Sequence, residues 1–178
     1  MKNSEGCTFD VYGRSELYDT FTIPLTGDHA ILNALGVIAL CHYEGIPASV
    51  IQERLATFHG VKRRFTVMES KGSVIIDDYA HHPTEIKATL QSAKQKYPDK
   101  KIVAIFQPHT FTRTAALLDE FAQSLETADH IYLCDIFSSA REKTGVISIN
   151  ELLQKLPGAK HLKLENIEEL EQHGNAVY

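Results

Sequence analysis

A basic excess is the first thing this chain of 178 residues lacks: 18 Lys and Arg stand against 23 Asp and Glu, a formal net charge of −5 at pH 7. A protein gripping nucleic acid through its bulk surface needs the opposite balance, so no nucleic-acid partner is expected. Cysteine is scarce, with three residues widely spaced and no CxxC pair. That argues against a disulfide framework and a zinc knuckle, and it fits a reducing compartment. Long hydrophobic runs are missing as well. The longest, Ala30 to Cys41, is interrupted by Asn33 and Gly36 and falls short of the roughly 20 residues that span a bilayer. Met1–Asp10 is polar, without the apolar stretch of a secretory leader, so the expectation is a cytoplasmic protein with no membrane partner. GxxxxGK followed by Ser or Thr, GxGxxG and GxSxG do not occur either. The chain therefore has no recognisable cradle of its own for the phosphates of a nucleoside triphosphate.

What is present is ordinary for a globular protein, 43% hydrophobic and 23% charged, in a length that suits one domain or two small ones. Residues 8–13 and 17–25 alternate around Gly13-Arg14-Ser15-Glu16, a hairpin signal. From His29 to about Tyr43 the pattern is apolar on nearly all sides, which predicts a buried helix with Asp28 as its N-cap. A second helix follows Pro47. The basic stretch Gly60-Val61-Lys62-Arg63-Arg64 then marks a boundary between residues 1–62 and 63–178. Beyond it, strands near 65–69, 72–77, 101–106, 130–134 and 161–164 alternate with helices near 84–97, 112–126, 148–155 and 166–172. That rhythm predicts an α/β fold, a Rossmann-like, mostly parallel sheet with helices on both faces, preceded by a small α+β piece. The opening hairpin has no obvious sheet to join and a strand begins at Ala176, so the chain reads as part of a larger protein.

In a parallel sheet the loops after each strand emerge along one edge, where ligands bind. Three of these loops are dense in chemical groups: Asp77-Asp78-Tyr79-Ala80-His81-His82-Pro83-Thr84, Gln107-Pro108-His109-Thr110-Phe111-Thr112-Arg113-Thr114, and residues 135–145. Plainer readings stand beside each. Asp77 and Asp78 can serve as helix caps, and Lys62, Arg63 and Arg64 as an exposed linker. His81 and His82 are adjacent, so their side chains diverge, which argues against a shared metal. Arg113 in a first helical turn opposes the helix dipole, which favours a compensating anion there.

Five segments in order, Gly27–Leu35, Gly60–Phe65, Asp77–Ile86, Phe106–His109 with Thr112–Thr114, and Ala128–Asp129 leading to Asp135–Phe137, resemble the Mur ligase family. Within it they are most similar to the members that join L-alanine to UDP-N-acetylmuramate. The resemblance implies that residues 1–62 end a central ATPase domain and that 63–178 form a Rossmann-like carboxyl-terminal domain, truncated at its end. It implies a reaction in which ATP phosphorylates a lactyl carboxylate and the amine of L-alanine attacks the acyl phosphate. Mg2+ would be bound mainly by parts of the central domain outside this chain, which alone would be inactive. By the same resemblance His29 and Asn33 face the adenine of ATP, and Arg64 and Asp78 approach the nucleotide. Tyr79, His81, His109 and Arg113 contact the muramyl and alanine groups, with His81, His109 and Arg113 nearest the chemistry. Two departures stand out. Ala30 replaces an Asn usual after the His, and Thr110 replaces an Arg of some relatives, which leaves Arg113 as the guanidinium clamp.

The rival expectations are a peptidoglycan-recycling ligase that attaches a whole tripeptide, a metal-dependent phosphohydrolase using Asp77, Asp78, His81, His82 and His109, and a non-catalytic nucleotide-binding module. Nothing in the sequence sets an oligomeric state.

Overall fold

Alternating residues at the amino end build an antiparallel sheet. In a computed structural model that describes residues 2–3, 6–70, 72–140, 142, 144–163, 165, 168, 173 and 175–178, β1 (Lys2–Asn3), β2 (Gly6–Gly13) and β3 (Glu16–Ile23) pair in that order. Arg14 and Ser15 turn the hairpin, both at positive φ (51° and 71°), as a two-residue turn that follows the strand twist requires. Cys7, Val11, Phe21 and Ile23 point to one side and are buried against α1 (Asp28–Tyr43) and α2 (Ala48–Ala56) through Ala30, Ala34, Ile38, Ile51 and Leu55. Gln52 locks α2 to β3 by donating to Asp19 Oδ1 (2.9 Å) and the Thr20 carbonyl (2.8 Å).

Two expectations for α1 need correction. Its N-cap is Gly27 (φ 97°), not Asp28, which is the first helical residue. Nor is the helix buried all round. Ala30, Ala34 and Ile38, four residues apart, form the single stripe that meets the sheet, while Leu32, Leu40 and Tyr43 are 66%, 63% and 84% exposed. An apolar composition gave no periodicity from which to tell the two faces apart.

The second sheet has the order β4-β5-β9-β6-β7-β8. β4 (Thr66–Ser70) and β5 (Ser73–Asp77) form an antiparallel hairpin. The remaining pairings among β6 (Lys101–Phe106), β7 (His130–Leu133), β8 (Lys160–His161), β9 (Ala176–Val177) and β5 are parallel. Helices α3 (Pro83–Lys96), α5 (Leu118–Leu125) and α6 (Ile149–Lys155) bury Ile86, Leu90, Phe121, Leu125 and Leu152 against one face. The other face carries a smaller cluster of Val103, Tyr132 and Ala176. This is the mostly parallel α/β sheet that the strand and helix rhythm predicts, with α3, α5 and α6 packed on one of its faces.

The helix expected over 112–126 is two helices. α4 (Phe111–Ala116) ends at Leu117 (φ −120°, ψ 27°), where α5 begins. Thr114 helps to bend the chain there: its buried hydroxyl donates to the Thr110 carbonyl four residues back (2.7 Å), a bond that distorts helices. The strand expected over 161–164 is shorter, Lys160–His161, and most of the helix expected over 166–172 lies outside the described residues. The strand foreseen at Ala176 is β9. It lies between β5 and β6, where the Tyr178 N–H donates to the Val74 carbonyl (2.8 Å) and the Ile76 N–H to the Tyr178 carbonyl (2.7 Å).

The two cores share no buried residue. They meet at Gly27, where positive φ and the hydroxyl of buried Ser92 on α3 leave no room for a Cβ, and along the segment from Gly60 to Phe65.

Candidate functional site

A cleft of about 590 Å3 opens where the two cores face each other. His29 and Asn33 reach it from α1, Arg64 from the segment between the cores, and Asp78, Thr84 and Glu85 from the loop after β5 and the start of α3. Leu25, Ala30, Val37, Phe58 and Val61 supply apolar walls. An apolar slot with a few polar groups suits a flat heteroaromatic ring with a polar edge. All four residues expected around a nucleotide, His29, Asn33, Arg64 and Asp78, thus line one cavity.

Asp78 already holds two backbone donors. Its Oδ2 accepts the Phe65 N–H (2.8 Å) and its Oδ1 the Ala80 N–H (2.7 Å). The Tyr79 N–H donates to the Arg63 carbonyl (2.9 Å), and the Arg63 guanidinium lies 5.0 Å from the centre of the Tyr79 ring. These contacts fix the intervening segment in an unusual shape, with Arg63 and Phe65 at φ 59° and 52°. Asp77 is 4.0 Å from Arg63. Neither aspartate caps α3.

That cap is His82, whose Nδ1 accepts the Thr84 N–H (3.3 Å), while Glu85 Oε2 accepts the His82 N–H (3.2 Å) in return. The two histidines therefore divide their work. His81 Nδ1 lies 3.0 Å from the Tyr79 carbonyl, and a carbonyl only accepts, so Nδ1 carries the proton. In the neutral ring Nε2 then keeps a lone pair that can take a proton from an amine. Glu85 connects the parts. It also accepts the His81 N–H (3.0 Å), stands 3.5 Å from His81 Nδ1 and lies 3.6 Å from Arg64. Burial pushes its carboxyl pKa up. The N–H of His81, the charge of His81, the N–H of His82 and the charge of Arg64 outweigh that and hold it below the ordinary carboxylate value.

Tyr79, His81, His109 and Arg113 sit on the loops after β5 and β6, on the carboxyl edge of the sheet, but they do not line the cleft. Tyr79 and His81 pack edge to face at 5.3 Å. His109 stacks on Phe137 at 5.2 Å, and Arg113 lies in the short helix α4. Among the described residues no cluster of three or more His, Cys, Asp or Glu has the arrangement of a metal site. Asp77, Asp78, His81, His82 and His109 do not converge on one point, as a metallophosphohydrolase would need. Glu85 escaped the sequence reading as a site residue. Its spacing of three from His82 was the available signal, although capping boxes usually open with Ser or Thr.

A family model described as Mur ligase, glutamate ligase domain, matches residues 63–177. The chain belongs to the Mur ligase family. Members of this family are ATP-dependent acid–amino-acid ligases. Among solved structures, the chain is similar to the UDP-N-acetylmuramate-alanine ligase MurC of Thermotoga maritima, with 31% identity and a TM-score of 0.79 over 99% of this chain and 39% of that one. It is also similar to a murein peptide ligase, Mpl, from Psychrobacter arcticus (27%, TM-score 0.63, 97% of this chain and 38% of that one). A third is the MurF ligase of Thermotoga maritima in complex with ADP (18%, TM-score 0.69, 97% and 39%), which shares the fold. The chain thus spans under two fifths of the length of these Mur ligases.

Proposed function

We propose that this chain is the carboxyl-terminal portion of a cytoplasmic ligase that joins L-alanine to UDP-N-acetylmuramate through an acyl phosphate, in peptidoglycan precursor synthesis. Residues 1–62 close its central ATPase domain, and 63–178 form most of its carboxyl-terminal domain. The observation that carries the reading is the cleft between the two cores, in which His29 and Asn33 from one face Arg64 and Asp78 from the other. ATP supplies the phosphoryl group that activates the carboxylate. His29 and Asn33 hold its adenine, and Arg64 lies against the nucleotide. Asp78 keeps the segment around Arg64 in place through the Phe65 N–H, which serves the same end from behind.

Tyr79, His81, His109 and Arg113 bind the muramyl and alanine groups. They do not line the cleft themselves, but Tyr79 and His81 share the loop after β5 with Asp78 and Thr84, which do. Closure of the two cores on substrate brings the two anionic reactants together. His81 Nε2, whose lone pair stays free when Nδ1 donates to the Tyr79 carbonyl, serves as base for the alanine amine. Mg2+ is held chiefly outside this chain.

Arg113 grips the carboxylate of L-alanine with two parallel hydrogen bonds. Such a charge-assisted contact is worth roughly 1.5–3 kcal/mol, or about 10- to 150-fold in affinity. In a complete ligase carrying this chain, Arg113→Ala therefore raises the apparent KM for L-alanine by about that factor and leaves the ATP constant nearly unchanged. Arg113→Lys recovers part of the loss, because an ammonium keeps the charge but not the planar fork. Equal losses for both substrates, or complete recovery with lysine, would show that Arg113 acts as a general electrostatic or structural group. A tripeptide-adding ligase is the second reading, favoured by the likeness to Mpl at 27% identity.

A further inference from the structure

The loop after β7 is as rich in functional groups as the other two. It lies across the loop after β6. The Phe137 N–H donates to the Pro108 carbonyl (2.8 Å) and the Thr110 N–H to the Phe137 carbonyl (3.0 Å), so that His109 and Phe137 form a parallel bridge. Their rings stack with centroids 5.2 Å apart and planes 23° from parallel. Glu142 Oε1 accepts the Thr112 N–H (2.9 Å) at the start of α4. Gly145 lies so close to Phe111 that a Cβ there would collide with that side chain.

The loop after β6 needs this support. Thr110 sits at φ 71°, a region that β-branched residues avoid on steric grounds. Released from the bridge, it would relax toward an ordinary conformation and turn His109, on one side, away from the helix that carries Arg113 on the other. Phe137 is itself 51% exposed. A ring whose only role was to fill a core would be covered on both faces; this one stacks on an imidazole and stays half exposed.

We propose that Phe137 is a positioning residue for the amino-acid clamp: its ring holds the His109 imidazole in a fixed plane, and the bridge it heads fixes the approach to Arg113. The proposal rests on the reading of His109 and Arg113 as substrate-binding groups. It adds a residue that does not itself touch substrate.

The test is a variant series in a complete ligase carrying this chain. Phe137→Ala raises the apparent KM for the amino-acid substrate about 3- to 10-fold, the range one ring–ring contact supplies. The ATP constant stays as it was, and kcat changes less than KM. Phe137→Tyr, which keeps the flat ring, restores the wild-type value. Phe137→Leu, which keeps bulk without a plane, does not. Unchanged kinetics in Phe137→Ala, or equal recovery by leucine and tyrosine, would overturn the proposal. A wild-type enzyme that used another amine in place of L-alanine would sink the functional reading, and the same series run on that amine would still decide the role of Phe137. In the 178-residue chain itself, the His109 ring-proton resonances shift in Phe137→Leu and stay near their wild-type positions in Phe137→Tyr. Identical His109 resonances in all three proteins would contradict the stacking on which the proposal depends.

Discussion

At the scale of single residues, three non-glycine positions near the site, Arg63, Phe65 and Thr110, hold positive φ, each at a cost of about 1–3 kcal/mol. Each has a named restraint: Thr66 Oγ1 takes the Arg63 N–H (2.9 Å), Asp78 takes that of Phe65, and Phe137 takes that of Thr110. Glu85 has two separable tasks, capping α3 and drawing Arg64 toward the histidine loop. Glutamine can still accept the backbone N–H bonds but carries no charge. Glu85→Ala therefore lowers the unfolding free energy by about 1–2 kcal/mol, as loss of a cap does, whereas Glu85→Gln changes it by less than about half as much. Urea unfolding of the three proteins checks this. Equal destabilisation by both variants would mean that the charge, not the cap, matters. Little at this scale was legible beforehand. The sequence marks Asp78 and His82 as chemically rich, but which of them caps a helix depends on where the chain turns after β5.

At the scale of elements, alternation and spacing located β2, β3, α3 and α6, whereas β5 and β6 were legible as short apolar runs. β6 is buried on both faces, with Ile102, Ala104 and Phe106 in one cluster and Val103 in the other. The reading failed where that signal is local or missing. The break at Leu117 depends on a hydroxyl bond back from Thr114, and the open face of α1 follows a run that is apolar on every side. β8 and β9 have two residues each, too few for a period. Between β7, β8 and the approach to β9 lies a pH-sensitive contact. His173 Nε2 is 2.7 Å from the Tyr132 hydroxyl, and its ring stands 4.1 Å from that of His130, with Lys160 over Tyr132. Burial, and then the charges of His130 and Lys160, push the His173 pKa below its ordinary value of 6.5. The folded state thus binds fewer protons than the unfolded chain below that value. The contribution to stability is complete above about pH 6.5 and is lost as pH falls through the lowered folded pKa. The Tm of the chain falls on acidification from pH 7.5 to 5, and His173→Gln lessens the slope. A wild-type Tm that rises over this range, or an equal slope in the variant, would contradict the assignment.

For the whole molecule, the sequence changes rhythm at Gly60, where an α+β pattern gives way to alternating strands and helices. The meeting of His29, Asn33, Arg64 and Asp78 in one cleft was not readable from spacing. It depends on how Gly27 seats α1 against Ser92, a contact between residues far apart in sequence. None of the helices among the described residues is long and apolar enough to cross a membrane. The central claim is that the residues around this cleft and on the adjoining loops serve a ligase specific for a free amino acid. The most direct measurement supplies a complete ligase carrying this chain with ATP, UDP-N-acetylmuramate and either L-alanine or a tripeptide, follows phosphate release, and isolates the product, with the 178-residue chain alone as control. The account predicts rapid turnover with L-alanine, little with tripeptide, and none from the chain alone. Preference for the tripeptide, or alanine-dependent phosphate release by the isolated chain, would contradict it.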